Sequence, residues 1–332
     1  MALKPQNKKH RKQIIAGTVG RDKGHSFEKE ITETINSLSI DQLCHLEQVD
    51  LEQVIFNGNP AFLLLSYIFT DLSVSCSSII SITAYWLGGL ATSGKGDVLQ
   101  LPNGHNLKSS KSDILIRFQY KDGSIKDVGV SIKTCNNKTP TNAQLYFTTA
   151  SAFCKLLRDN NIKVTVEAEH AMKMFCGDVG YRPADMIDVS KRKSDPDRWF
   201  WEELPQKEKN ELEKMFIAQQ DGISEVLFKK AYQNDPFPPD YVFHQTRKCE
   251  NINNVESAIF SIDKLLKLSK KYSGFDLRPY TVKKGRFRGD PNIHLAPRFG
   301  VIQMQRGGQK QHPTQLQFNL KAGYFYHLRD LS

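Results

Sequence analysis

The period of the apolar residues changes once, sharply, before the middle of the chain. Phe27, Ile31, Ile35 and Leu38 recur at three- and four-residue spacing, which predicts a helical stripe opened by Ser26 as N-cap. From residue 113 the pattern becomes that of strands. Ile114-Leu115-Ile116-Arg117-Phe118-Gln119-Tyr120 is a β-rich run, Lys121-Asp122-Gly123-Ser124 is a turn, and Val128–Thr134 is a second run. Thr141–Arg158 then reads as a helix and Ile162–Glu167 as another strand. A β-turn-β-α-β order preceded by helices predicts a mixed α/β fold.

The flanks of this block are less sharply drawn. Asp41–Phe56 and Ala61–Leu87 read as further helices, separated by Asn57-Gly58-Asn59-Pro60. Leu72–Leu90 carries no charge, but its serines favour a buried helix over a membrane span. Residues 191–270 read as mostly helical, and Phe299–Arg306 and Gln315–Leu320 as a terminal strand pair. The expected organisation is a basic arm at 1–24, a core at 25–190, and a helical and recognition region at 191–332 with a soft break near 275.

Charge narrows the partner. The 332 residues carry a formal net charge of +10, which draws polyanions at long range. The excess is uneven: Lys4, Lys8, Lys9, Arg11, Lys12, Arg21, Lys23 and Lys29 face only Asp22 and Glu28 in the first 29 residues. The cysteines at 44, 76, 135, 154, 176 and 249 form no C-x-x-C pair and suggest neither a zinc site nor a disulfide framework. Free thiols and the lack of an apolar stretch after the basic N-terminus suit the cytoplasm.

The candidate chemistry lies on the hairpin. Strand side chains alternate, so Val128, Val130 and Ile132 share one face and Gly129, Ser131 and Lys133 the other. A hairpin brings Asp113, at the mouth of the first strand, to Ser131 and Lys133. One carboxylate that can hold a dication and one lysine that can orient water or stabilise phosphoryl charge are parts of a phosphodiester-cleaving site. Asp97 and Asp127 are competing acids. Ser93-Gly94-Lys95-Gly96 lacks the spacing of a phosphate-binding P-loop.

These residues resemble the PD-(D/E)XK nuclease superfamily, to which many type II restriction endonucleases belong. Ser112-Asp113 stands where Pro-Asp is commonest, and Ser131-Ile132-Lys133 where Glu-x-Lys is commonest, 18 residues on from Asp113. The resemblance spans roughly residues 25–170 and implies a restriction-endonuclease-like core sheet flanked by helices. It also implies Mg²⁺-dependent, site-specific hydrolysis of double-stranded DNA. Ser131 departs from the pattern, since serine is a poor ligand for a hard dication. A second carboxylate must then come from elsewhere: Glu28 by analogy, with Glu167 or Glu169 as alternatives. Gln144 is the nearest residue of similar length on the following helix. The Ile132 carbonyl is a further metal ligand by the same analogy.

The C-terminal region carries the expected DNA contacts. Gln303 and Gln305 share one strand face, as do Gln315 and Gln317, and glutamine reads adenine edges bidentately. Arg306 and Lys310 flank the Gly307-Gly308 turn, and Lys283, Lys284, Arg286 and Arg288 suit phosphates. Gln303-Met304-Gln305-Arg306-Gly307-Gly308 followed by Leu316-Gln317-Phe318 also resembles a stretch of several restriction enzymes. His25, His105, His170 and His294 lack metal-ligand spacing and read as structural. A palindromic target implies a two-fold homodimer. A repair or structure-specific nuclease, a DNA-binding protein with a decayed metal site, and RNA as substrate are the competing readings.

Overall fold

The structure is a computed structural model that describes residues 7–192, 194–232, 235–272, 275–282, 290–306 and 315–329. Its strands in chain order are β1 Ile55–Gly58, β2 Ile79–Trp86, β3 Ile114–Tyr120, β4 Ile125–Lys133, β5 Ala143–Thr149, β6 Pro239–Gln245, β7 Val255–Ser261, β8 Phe275–Tyr280, β9 His294–Phe299, β10 Ile302–Arg306 and β11 Gln315–Leu320. Its helices are α1 Lys8–Ser37, α2 Ile40–Cys44, α3 Pro60–Asp71, α4 Leu90–Ser93, α5 Ala150–Asp159, α6 Val166–Cys176, α7 Pro183–Met186, α8 Gln206–Ala218, α9 Gln220–Lys229, α10 Ile262–Lys270 and α11 Tyr324–Arg329. The fold is mixed α/β. It divides into two compact units, each discontinuous in sequence: Met1–Ala143 with Lys229–Leu268 and Ala322–Ser332, and Gln144–Phe228 with Ser269–Lys321.

The first unit is built on a six-stranded sheet in the order β1-β7-β6-β4-β3-β2. The β3–β4 hairpin is antiparallel, with Ile114 opposite Val130 and Ile116 opposite Val128. β4 runs parallel to β6, with Lys133 beside His244. One sheet face gives Ile114, Ile116, Phe118, Val128, Val130, Ile132 and Phe243 to a core completed by Ile31 and Ile35 of α1 and Leu64, Leu65 and Ile68 of α3. β2 is an edge strand, and Asn36 of α1 satisfies its free backbone. The Asn36 amide donates to the Ala84 carbonyl at 2.9 Å and accepts from the Ala84 N–H at 2.7 Å. This pair fixes α1 along β2.

The second unit holds a five-stranded sheet, β5-β11-β10-β9-β8. Phe153 of α5 packs on Phe318 of β11 with ring centroids 4.5 Å apart, and Phe216 of α8 stacks on Phe299 of β9 at 4.4 Å.

The expected hairpin and the terminal β10–β11 pair are present, but several expectations are corrected. The basic N-terminal stretch is helical from Lys8, so Ser26 lies inside α1 and donates to the Asp22 carbonyl rather than capping. Asp41–Phe56 is not one helix: α2 ends at Cys44 and Ile55–Gly58 is a strand. Ala61–Leu87 breaks after Leu72, where Ser73 takes a positive φ of 51°, and Ile79–Trp86 is β2. Its β-branched and aromatic residues suit a pleated surface better than a helix. Thr141–Arg158 splits at Thr149, which caps α5 after the strand β5. Ile162–Glu167 is not a strand, because Thr165 caps α6. Residues 191–270 contain β6 and β7 as well as helices. Cys44 and Cys76 form a disulfide, against the reading of the cysteines as free thiols. Among the described residues no helix is long and apolar enough to cross a membrane.

Phe118 is wholly buried and packs against Phe69 of α3 with centroids 5.9 Å apart. Phe118→Ala is expected to cost about 3–5 kcal/mol in urea unfolding. A loss below about 1 kcal/mol, typical of surface positions, would contradict its place in this core.

Candidate active site

Asp113 precedes β3 by one residue and continues its ladder, donating from its N–H to the Val130 carbonyl at 2.9 Å. Its side chain reaches across to the end of β4. Oδ2 accepts from the Ile132 N–H at 2.6 Å and from the Ser131 hydroxyl at 3.2 Å, and the Lys133 ammonium lies 3.4 Å away. Lys133 Nζ also donates to Ser131 Oγ at 2.7 Å and to the Ile132 carbonyl at 2.9 Å. Ser131 therefore links acid and lysine, giving its proton to one and accepting from the other. The alternation along β4 puts Ser131 and Lys133 on one face, as read from the sequence.

Two loops hold the mouth of β3. The Asp113 carbonyl accepts from the N–H groups of Leu87 and Gly88, each at 2.9 Å. On the other side, Asp235 Oδ2 accepts from the Lys111 N–H at 2.6 Å, and the Ser112 hydroxyl donates to the Phe237 carbonyl at 2.7 Å. Gly129 permits this approach, because a Cβ there would collide with Ser112 Oγ and the Pro238 carbonyl. The Lys111 amine is pushed down to about 7, by burial first and then by the nearby charge of Lys133.

Glu28 comes from α1 and is buried, at 7% exposure. Its Oε2 accepts from the Trp86 indole N–H at 2.9 Å. A Cβ on Gly88 would overlap this carboxylate, so Gly88 makes room for it. The carboxyl is raised to about 8, by burial first and then by the negative charge of Asp113. Glu28 and Asp113 thus both come to Gly88, at one end of the sheet. His25 packs edge-on against Trp86, with centroids 5.7 Å apart.

The other acids are accounted for. Asp97 accepts from the Trp86 N–H at 2.7 Å, and Asp127 holds Arg117 through two contacts of 2.7 and 2.8 Å. Glu167 and Glu169 belong to the second unit, where they pair with Lys207 at 2.9 Å and with Arg158 and Lys173 at 2.6 and 2.8 Å. Among the described residues no three His, Cys, Asp or Glu side chains gather into a metal-holding group. The donors at the β3–β4 end are two carboxylates and the Ile132 carbonyl. Oxygen donors of this kind suit a hard dication, whose charge would offset the mutual opposition of the two acids.

In the second unit Gln303 and Gln305 of β10 face away from buried Ile302 and Met304. Gln305 donates to Gln317 at 2.8 Å, and Gln317 to Gln144 at 2.7 Å, forming an amide ladder across three adjacent strands. Gln144, expected on a helix, is thus part of this ladder. Gln315 lies on the same strand as Gln317. Arg306 lies 3.4 Å from Asp195. Lys310, Lys283, Lys284, Arg286 and Arg288 lie outside the described residues. Trp86, Gly88 and Asp235 carry no local signal in the sequence, since Trp86 and Gly88 lie in an uncharged apolar run and Asp235 acts through the Lys111 N–H and the Ser110 hydroxyl, both distant in sequence.

The sequence matches no known family profile and no curated protein. Among solved structures, the fold is similar to that of restriction endonuclease MspI crystallised with its cognate DNA. The TM-score is 0.50 at 14% identity, over 89% of this chain and 88% of that one. At this identity the likeness is one of fold: a restriction-endonuclease-like mixed α/β architecture.

The raised Glu28 carboxyl gives a stability prediction. The folded chain keeps to about pH 8 a proton that the unfolded chain releases near 4.5. Stability from the neutral form is complete below 4.5 and is lost as pH rises toward 8. Melting temperatures in EDTA are expected to fall over this window, and Glu28→Gln to flatten the fall. Parallel profiles for the two chains would contradict the assignment.

Proposed function

We propose that this chain is a type II restriction endonuclease of the PD-(D/E)XK kind, hydrolysing double-stranded DNA at a specific site with Mg²⁺. The observation that carries the reading is the meeting of Glu28, Asp113, Ser131 and Lys133 at one end of the sheet. In a fold of this architecture, that group supplies what phosphodiester cleavage needs. Glu28, Asp113 and the Ile132 carbonyl would hold Mg²⁺, which when bound activates water and neutralises charge on the scissile phosphate.

The chain's own groups do the positioning. Lys133 is held by Ser131 and Ile132, where an ammonium can orient the attacking water and stabilise charge building on the phosphate. Ser131 stands in place of the second acid of the hairpin and keeps Lys133 and Asp113 in register. Glu28 supplies the missing carboxylate from α1, and the Trp86 indole fixes its direction. The reading assigns base recognition to Gln303, Gln305, Gln315 and Gln317, whose amides are partly oriented by the ladder. It gives phosphate contacts to Arg306, Lys310, Lys283, Lys284, Arg286 and Arg288. Two chains related by a two-fold axis would read a palindromic target, and cleavage of DNA inside the cell places the protein in the cytoplasm.

Ser131 in an acid's place favours one other reading, a DNA-binding protein whose metal site has decayed. Digestion of a sequenced plasmid separates the two. Wild-type protein with Mg²⁺ is expected to give discrete fragments whose ends map to one short sequence. Lys133→Ala is expected to lose about 100-fold or more in rate while still binding duplex. Binding without cleavage under any divalent metal would support the decayed site. Cleavage only at branches or gaps would point to a structure-specific nuclease.

A further inference from the structure

α1 is longer than its packing requires. Among its described side chains none is buried before Glu28, and Ile15 and Val19 are 52% and 48% exposed. Nearly five turns, about 4.7, thus extend ahead of the candidate site, from Lys8 to Gly24, without a core beneath them. Lys8, Lys9, Arg11, Lys12, Arg21 and Lys23 lie in this stretch against a single acid, Asp22. Asp22 pairs with Arg21 at 3.6 Å, and Lys8, Arg11, Lys12 and Lys23 enter no ion pair among the described residues.

The helix itself gains little from this composition. No acid occupies its first turn, so cations crowd the positive pole of the helix dipole. Gly17, Gly20 and Gly24 further weaken its helical tendency. A ladder of negative charge alongside would offset both effects. The extension also leads to the candidate site. Lys23 lines a cavity of about 370 Å³ together with Thr134, the neighbour of Lys133, and with Asn136 and Gln245, while Glu30 and Glu250 line it as well, so the phosphate contacts are sought further out on the helix.

We infer that the exposed first half of α1 lies along the phosphates of duplex DNA flanking the cut, with Lys8, Arg11 and Lys12 as its outer contacts. This rests on the reading of the chain as a DNA nuclease and adds a binding element to it. From Lys8 to Glu28 a helix rises about 30 Å, equal to about nine base-pair steps measured along a duplex axis, so the outer contacts would lie well to one side of the cut. The contacts are to backbone charge, so they would be independent of sequence. A second copy of this chain would meet the same positive charge, and its docking there is disfavoured.

The test is the salt dependence of duplex binding by the full chain in EDTA, comparing wild type with the triple variant K8A/R11A/K12A. These side chains are exposed and alanine is a good helix former, so the fold is expected to be retained, which circular dichroism checks. Each phosphate contact contributes about 0.9 to the slope of log affinity against log salt, so the slope is expected to fall by about 2 to 3. Single-turnover cleavage at saturating protein is expected to stay within about twofold of wild type, because no group of the site is touched. An unchanged slope with cleavage intact would overturn the inference and leave the nuclease reading standing. Wild-type protein that binds no duplex at all would overturn both. A slope change seen with single-stranded RNA and not with duplex would also overturn it, assigning the helix to a different partner.

Discussion

The Asp113 carboxylate is the point on which the site's geometry turns. A single oxygen, Oδ2, receives the Ile132 N–H, the Ser131 hydroxyl and the Lys133 ammonium. The same residue's carbonyl receives Leu87 and Gly88. The end of β4, the mouth of β3 and the loop after β2 therefore converge on one residue. Charge-assisted hydrogen bonds of this kind are stronger than neutral ones. Their cost is a negative charge on the partly buried Asp113, which adds to the effect of burial in raising the carboxyl of its neighbour Glu28. The arrangement is well ordered as a scaffold and electrostatically tense as a pair of acids, which is the condition a dication relieves.

Glu28 reaches that place through a chain of local contacts. Asn36 locks α1 to the free edge of β2 at Ala84, and two residues further along β2 the Trp86 indole catches Glu28. Gly88 then leaves the space that the carboxylate occupies. The helix thus works as a lever with its fulcrum on the sheet edge. Its packed half delivers an acid, and its unpacked half carries a run of cations outward from the same end of the sheet.

Part of this was legible in the sequence. Two β-rich runs around the Lys121–Ser124 turn identified the hairpin, and alternation along the second put Ser131 and Lys133 on a shared face beside Asp113. Gly123, at a φ of 83°, is the turn residue that this hairpin demands. The terminal strands were readable for the same reason. Trp86 was not, because Leu72–Leu90 is an uncharged apolar run, and such runs do not reveal whether they bury as helix or strand. β6 and β7 were obscured in the same way by their helical neighbours, although β6 flanks β4 along the end that carries Ser131 and Lys133. Glu28 was reached by analogy, since nothing in its local pattern distinguishes it from a surface acid. Its burial appears only once α1 is laid on β2.

The most direct measurement is calorimetric titration of Mg²⁺ into the full chain, wild type beside Glu28→Gln, with Glu167→Gln and Glu169→Gln as controls. A cation shared by Glu28 and Asp113 predicts that Glu28→Gln weakens binding by more than about tenfold, while the two controls bind as wild type does. Unchanged affinity in Glu28→Gln, with loss in either control, would contradict the placement of the metal at the β3–β4 end and of the chemistry that depends on it.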